Sequence, residues 1–352
     1  MIWWLFMGLE HFPQELFQLD SAHLLEHYAT LTADIKEAYA LGETIGVPRI
    51  KESVDQIFIL GMGGSAISGD VLRIWLDEIG CKLPVHVVRD YSIPAHMTAQ
   101  SLVFAISYSG NTEETLSAYR KAMRITKNTV SLSSGGKLKE TSTLSRLAHL
   151  PVPKGFEPRT AALSYLLFPL IKILERLDII PSQRHAIDRL TNDLVKPDFK
   201  KIAISMSAKL EGKIPLVYAS QRYFPLAYRC KTQLNENAKI HAFAGAYSEI
   251  NHNELLAYTH SQEKYHVLCF IMDSDHRRIK KRMTQCKELT QKANGATTEI
   301  KLSGPSFLTK LFSGFIIGDL TAYYLGLRYR EDPSQVKLIE SFKKKMGTYI
   351  AN

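Results

Sequence analysis

The sequence predicts an α/β protein made of two doubly wound parallel-sheet halves, with helices on both faces of each sheet. Two observations predict it. Short, near-continuous apolar runs alternate with helical patterns, and such runs mark strands covered on both faces. Two of these runs end in Gly/Ser-rich turns, Gly61-Met62-Gly63-Gly64-Ser65-Ala66-Ile67-Ser68-Gly69 and Ser107-Tyr108-Ser109-Gly110-Asn111-Thr112-Glu113-Glu114-Thr115. Each turn opens a helical pattern, as strand-to-helix turns in open α/β sheets do.

Taken in order, residues 12–45 read as helical, because Leu16, Leu19, Leu24, Leu25, Tyr28, Leu31 and Ile35 recur at helix-like spacing. Residues 56–60 form the first apolar run, followed by the first turn and a helix over Ile67–Leu76. Val85–Val88 is the second run. Leu102–Ser107 is the third, followed by the second turn and a helix near Thr112–Met123. Thr129–Leu132 is the fourth, followed by Ser133-Ser134-Gly135-Gly136. Pro151–Pro158 is proline-rich and reads as a boundary. An apolar helix over Ala161–Leu177 follows it. A weaker version of the same pattern comes next: strands at Ile214–Ala219, His266–Ile271 and Thr298–Leu302, and helices at Phe224–Leu234, Phe307–Leu325 and Pro333–Met346. The expected division is a helical segment over 1–45, a first sheet domain over 46–155, a second over 156–332 and a terminal helix over 333–352.

Composition narrows the function. The 352 residues are 45% hydrophobic and 22% charged, values typical of soluble globular chains. No apolar run approaches the ~20 residues of a membrane span. The greasy start, Met1–Met7, is followed at once by Glu10 and His11 and has neither a basic leader nor a small-residue cleavage site. We read it as a docking segment or an upstream start codon rather than a signal peptide. The four cysteines are scattered without metal-ligand spacing, so no metal site is expected and reduced thiols in a cytoplasmic protein are. The net charge of +9 is spread over the chain and lacks the aromatic interleaving of a nucleic-acid surface. Such a field draws anions inward.

The two turns define the ligand. Glycines there admit close backbone approach, with N–H groups and the positive helix end facing the ligand. Gly61-x-Gly63-x-x-Ala66 also fits a relaxed dinucleotide fingerprint, with Asp90 as the ribose acid. The second turn favours another reading. Ser107, Ser109 and Thr112 crowd three hydroxyls into six residues, and Asn111 with Glu114 makes a capping pair. There is no Walker lysine, which argues against a nucleotide triphosphate. Hydroxyls and amides without a cation suit a phosphate monoester, so Gly64, Ser65, Ser107, Ser109 and Thr112 are the candidate phosphate-binding residues.

The paired loops with Ser133-Ser134-Gly135-Gly136 resemble a sugar isomerase (SIS) domain. Val88-Arg89-Asp90-Tyr91-Ser92-Ile93-Pro94, Glu157-Pro158-Arg159-Thr160-Ala161, Asn235-Glu236-Asn237 and Asn251-His252-Asn253-Glu254 are similar to the bifunctional phosphoglucose/phosphomannose isomerases. The resemblance covers most of the chain. It implies two SIS-type subdomains, a homodimer, a small-molecule sugar phosphate as the one partner besides a second copy, and no metal or organic cofactor. The implied reaction moves a proton between carbon-1 and carbon-2 of an aldose or ketose phosphate through a cis-enediol(ate).

The resemblance assigns Glu236 as the base, with the Asn235 and Asn237 amides orienting it just past an apolar helix. It assigns His252 to ring opening, reaching the site of the neighbouring subunit. Arg159 and the Gly64 N–H stabilise the enediolate. In the terminal helix, Leu338, Ile339, Phe342 and Met346 form an apolar stripe, bordered on one edge by Lys343 and on the other by Lys345. Periodicity leaves both lysines open, and the resemblance pairs best with Lys343. The chain departs from the pattern at its apolar amino end and around Ser334-Gln335. Two other functions fit the loops alone. One is a non-catalytic SIS module that senses sugar phosphates. The other is the amidotransferase-linked glucosamine 6-phosphate synthase, which calls for a glutaminase domain ahead of the first sheet.

Overall fold

The computed structural model describes residues 12–48, 50, 53–156, 162–195 and 198–347. They form two compact units, one of described residues within 30–192 together with 337–347, the other of 12–29 with those within 193–336.

The first unit holds a five-stranded sheet of order β2-β1-β3-β4-β5, with β1 Ile57–Leu60, β2 Val85–Val88, β3 Leu102–Ile106, β4 Thr129–Ser133 and β5 Ala148–Pro151. All four pairings are parallel. Strands β1, β3 and β4 are buried along their whole length, β1 and β3 as their continuous apolar sequence predicts and β4 with Thr129, Ser131 and Ser133 buried between its apolar residues. Helices α2 Gly63–Glu78, α3 Glu113–Ile125, α4 Gly136–Leu144 and α5 Leu163–Arg176 cover the sheet, and α2 packs on α5. Phe58, Leu60, Val103, Leu116, Tyr119 and Leu138 form the core on one face. The register matters for function: β1, β3 and β4 are neighbours, so the turns that follow them line one edge.

The second unit repeats the plan with four parallel strands in the order β7-β6-β8-β9: β6 Ile214–Ser220, β7 Phe243–Tyr247, β8 Tyr265–Met272 and β9 Ala296–Leu302. Its helices include α7 Phe199–Leu210, α8 Phe224–Asn237, α9 Arg277–Lys292 and α10 Phe307–Arg328. Every residue of α10 from Phe307 to Leu327 is buried, and the helix packs on α7 and α8. There Asp319 accepts a two-pronged bond from Arg229 of α8, at 3.2 Å from Nε and 2.6 Å from Nη2, with both side chains almost wholly buried. No helix among the described residues is long and apolar enough to cross a membrane.

Several expected boundaries move. The 12–45 region is a short 3-10 helix over Gln14–Leu19 and then α1 Leu24–Leu41. Asp20 causes the break: its carboxylate accepts from Leu24 N at 3.0 Å and Leu25 N at 3.4 Å, capping a new helix start. Helix α2 starts at Gly63 rather than Ile67. The terminal helix is α11 Lys337–Met346 rather than Pro333–Met346, because Asp332 accepts from Ser334 N at 2.9 Å and Ser334 Oγ at 2.7 Å and holds those residues in a turn. Strands β5 and β7 are additions. Their sequences, Ala-His-Leu-Pro and Phe-Ala-Gly-Ala-Tyr, lack the β-branched run that marks a strand. Helix α6 Arg184–Leu194, α7 and α9 were likewise not expected.

Candidate functional site: three loops at the edge of the first sheet

Parallel strands send their carboxyl ends to one edge, and there β1, β3 and β4 each run into a helix. The N-cap residues of the three helices are Met62, Thr112 and Gly135, and none makes a side-chain capping hydrogen bond. The first amides of α2 and α3 therefore lack the acceptor that a cap supplies, whereas in α4 Lys137 N and Leu138 N already donate to Asn111 Oδ1 and to the Gly110 carbonyl. Two such helix starts after neighbouring strands, with their positive ends, make a site for an anion.

Hydrogen bonds weld the loops together. Tyr108 N donates to Ser65 Oγ at 3.4 Å, joining the second loop to the first. Ser134 donates to the Tyr108 carbonyl through both N and Oγ, each at 2.8 Å, and Leu138 N donates to the Gly110 carbonyl at 2.9 Å. The Tyr108 hydroxyl donates to the Pro153 carbonyl at 3.0 Å and accepts from Phe156 N at 2.8 Å. Gly110 and Gly136 both have left-handed backbones, with φ of +70° and +69°. A Cβ on Gly110 would lie 1.9 Å from the Gly135 carbonyl oxygen, and one on Gly136 would lie 2.5 Å from the Ser109 carbonyl oxygen. Only glycine allows the second and third loops to approach this closely.

Of the sequence-predicted phosphate residues, Gly64 and Ser65 lie in the first turn of α2, Ser107 and Ser109 on the loop after β3, and Thr112 at the N-cap of α3. Ser107 and Thr112 exchange a hydrogen bond between their hydroxyls at 2.9 Å. Ser65 is buried and Ser109 is exposed. The expected capping pair of Asn111 and Glu114 is not formed. The Asn111 carbonyl oxygen instead accepts from Lys137 N at 3.1 Å, bridging to the third loop, and its amide donates to the Ser109 carbonyl at 3.2 Å. The cap position falls one residue later, on Thr112. Asp90, the rival ribose acid, accepts from Ser92 N at 3.2 Å in a local turn.

The corresponding loops of the second unit are already filled. The Asp275 carboxylate accepts from Ser220 Oγ at 2.6 Å and Met272 N at 2.7 Å, and Asp273 pairs with Lys310 at 2.8 Å. The Lys310 hydrogen bond holds the Asp273 carboxyl below its usual range. These loops satisfy their donors with the chain's own carboxylates, which makes them poor anion binders. The sequence showed the turn to be degenerate. It did not show the carboxylate that closes it.

The residues assigned to chemistry fall elsewhere. Glu236 lies in the last turn of α8 rather than past its end, and is half-buried. The flanking amides do not serve as expected: Asn235 donates to the Ile240 carbonyl at 2.8 Å and Asn237 to Gln233 Oε1 at 3.1 Å. His252 ends a 3-10 turn and is exposed. Its neighbours hold that turn in place. Asn251 donates to Cys286 Sγ at 2.9 Å, Asn253 to Glu249 at 2.9 Å, and Glu254 accepts from the Tyr218 hydroxyl at 2.5 Å. Burial keeps that phenol protonated. Lys343 and Lys345 lie in α11, whose stripe residues Leu338, Ile339, Phe342 and Met346 are all exposed. Arg159 lies outside the described residues.

Comparison with known proteins follows the same division. Residues 52–168 match the SIS domain family, and residues 199–346 match the bacterial phospho-glucose isomerase C-terminal SIS domain. The chain is 35% identical to a bifunctional phosphoglucose/phosphomannose isomerase of Caldicellulosiruptor bescii, over 92% of this chain and 99% of that one. It is 32% identical to a D-glucosamine-6-phosphate 4-epimerase of Sulfolobus acidocaldarius, over 68% of this chain and 75% of that one. A Clostridium difficile structure described as a phosphosugar isomerase superposes with a TM-score of 0.73, covering 94% of this chain and 99% of that one, at 15% identity, a likeness of fold alone.

Proposed function

Because the chain belongs to the bifunctional phosphoglucose/phosphomannose isomerase family, we propose that it interconverts glucose 6-phosphate and mannose 6-phosphate with fructose 6-phosphate. The observation that carries this reading is the welded edge of the first sheet: the starts of α2 and α3, both without side-chain caps, beside the hydroxyls of Ser65, Ser107, Ser109 and Thr112. Such an edge binds a phosphate monoester and holds the sugar by its far end, leaving carbon-1 and carbon-2 free for chemistry.

In this reading the open-chain sugar loses a proton from the carbon beside its carbonyl, passes through a cis-enediol(ate) and regains the proton on the neighbouring carbon. Glu236 carries that proton, a task for a carboxylate held close to the substrate. Arg159 and the Gly64 N–H bind the enediolate oxygen where negative charge develops. His252 moves the ring-opening proton, with Lys343 assisting. The exposure of His252 suits a residue contributed to the partner's site in a homodimer. The route is a proton transfer and calls for neither metal nor organic cofactor. The described cysteines are free thiols, which suits a cytoplasmic enzyme.

The test is product identification by NMR, incubating the purified protein separately with glucose 6-phosphate and mannose 6-phosphate. Fructose 6-phosphate from both supports the reading. Tight binding without turnover would make the chain a sugar-phosphate sensor. A product inverted at carbon-4 would align it with the epimerase relative.

A further inference from the structure

A second cleft opens at the other end of the first sheet. Its volume is about 700 Å³, in the range of small-molecule sites. It lies at the amino ends of β4 and β5, where the turns before each strand meet the segment that follows α1. Strand β4 runs from this cleft, at Thr129, to the phosphate loops, at Ser133. The two sites therefore lie at opposite ends of one strand.

Two features make this cleft a site rather than a dent. The first is charge. Lys127 and Arg146 line it, and among the described residues no aspartate or glutamate does. The second is a pair of polar atoms left over. Thr129 Oγ1 and His149 Nε2 are both buried and, among the described residues, without a hydrogen-bond partner. Both residues line the cleft. Buried orphans are uncommon and call for an explanation.

A hydroxyl network holds the other ring nitrogen of His149. Ser142 Oγ bonds the Leu138 carbonyl at 2.9 Å and has two further hydroxyl neighbours. Those are Tyr119 at 3.1 Å and Ser131 Oγ at 2.6 Å. Ser131 Oγ in turn shares a hydrogen bond with His149 Nδ1 at 2.8 Å and lies 3.4 Å from the Ala148 carbonyl. Nδ1 is thus partnered, and Nε2 is the ring nitrogen left for a ligand. Burial, reinforced by the charge of Lys139, pushes the ring's pKa down to about 4, which keeps it neutral.

We propose that this cleft binds a small hydroxylated anion, its charged group on Lys127 and Arg146 and a hydroxyl hydrogen-bonded to His149 Nε2. Asn128 and Ser145, also in the lining, supply further polar contacts to such a ligand. The site is separate from the phosphate loops, and its occupant need not be the substrate.

The experiment uses the full chain labelled with 13C-histidine, with the His149 imidazole signal assigned through His149→Gln. Glycerol 3-phosphate is the probe, because it carries both a phosphate and hydroxyls. Glycerate repeats the titration with a carboxylate, and n-propyl phosphate repeats it without hydroxyls. We expect a saturable shift of the His149 signal with glycerol 3-phosphate, weakened at least tenfold in K127A/R146A and unchanged in Ser109→Ala. We expect n-propyl phosphate to bind several-fold more weakly than glycerol 3-phosphate. Glycerate saturating at lower concentration than glycerol 3-phosphate would identify the anion as a carboxylate, and the reverse as a phosphate. No saturable shift with either hydroxylated anion would overturn the proposal. So would equal affinity in K127A/R146A, or a shift that disappears in Ser109→Ala. Thermal unfolding of K127A/R146A, expected at the wild-type midpoint, separates loss of the site from loss of the fold.

Discussion

Gly110→Ala puts the welded-loop geometry under the most stringent test. The added methyl would lie 1.9 Å from the Gly135 carbonyl oxygen and 2.8 Å from its carbon. Ordinary contact needs about 3.4 Å, so the second and third loops must separate by roughly 1.5 Å. Both neighbours are backbone, and neither can turn aside. Separation stretches the bonds from Leu138 N to Gly110 O, Ser134 N to Tyr108 O and Lys137 N to Asn111 Oδ1. At about 1 kcal/mol each, plus about 1 kcal/mol for a left-handed alanine, the cost is of order 4 kcal/mol. Gly80→Ala is the control. Its φ is +77°, yet nothing lies within 4 Å of the added methyl, so it should cost only about 1 kcal/mol. Urea denaturation measures both costs, and the KM for glucose 6-phosphate reads the loops. We expect Gly110→Ala to lose several times more stability than Gly80→Ala and to raise KM at least tenfold. Equal costs for the two variants, with KM unchanged, would refute the reasoning.

Other expectations follow from particular contacts. Asp319→Ala strands the Arg229 guanidinium in the core of the second unit, and a buried charge that loses its partner costs about 3–5 kcal/mol, visible as a lower urea midpoint. Asn111→Ala removes the acceptor for Lys137 N at about 1 kcal/mol, and should raise the KM for glucose 6-phosphate more than Glu114→Ala does. His149 stays neutral when folded, with its pKa near 4, whereas the unfolded chain's histidine titrates near the ordinary 6.5. Between those values the unfolded state binds more protons, so stability is complete above about pH 6.5 and falls toward pH 4, by up to about 2 kcal/mol after allowance for partial exposure. His149→Gln should flatten that part of the pH profile of the urea midpoint, and an identical slope in both proteins would contradict it.

The α/β architecture was legible because its strands are continuous apolar runs. Residues 57–60 and 102–106 have one stable place, a sheet covered on both faces. Strand β7 was illegible for the opposite reason, since Phe243-Ala-Gly-Ala-Tyr247 becomes a strand only by pairing with β6. Local capping chemistry also misled. Asn111 three residues before Glu114 has the spacing of a capping box, but a third loop, distant in sequence, offers the Asn111 oxygen a better partner in Lys137 N. The amides beside Glu236 fit an orienting role by sequence adjacency, yet helix α8 turns them toward Ile240 and Gln233. Residue types announced the phosphate loops. The carboxylate of Asp275, which closes the second set, came from tertiary contact alone.

The central claim is that the chain moves a proton on a sugar held by its phosphate, with Glu236 carrying the proton. A coupled assay of fructose 6-phosphate formation from glucose 6-phosphate and mannose 6-phosphate, comparing wild type with Glu236→Gln, tests it most directly when paired with calorimetric binding of glucose 6-phosphate. The account predicts turnover of both sugars by wild type and, in Glu236→Gln, a loss of at least a thousandfold in kcat with binding within a few-fold of wild type. Full activity in Glu236→Gln would contradict it.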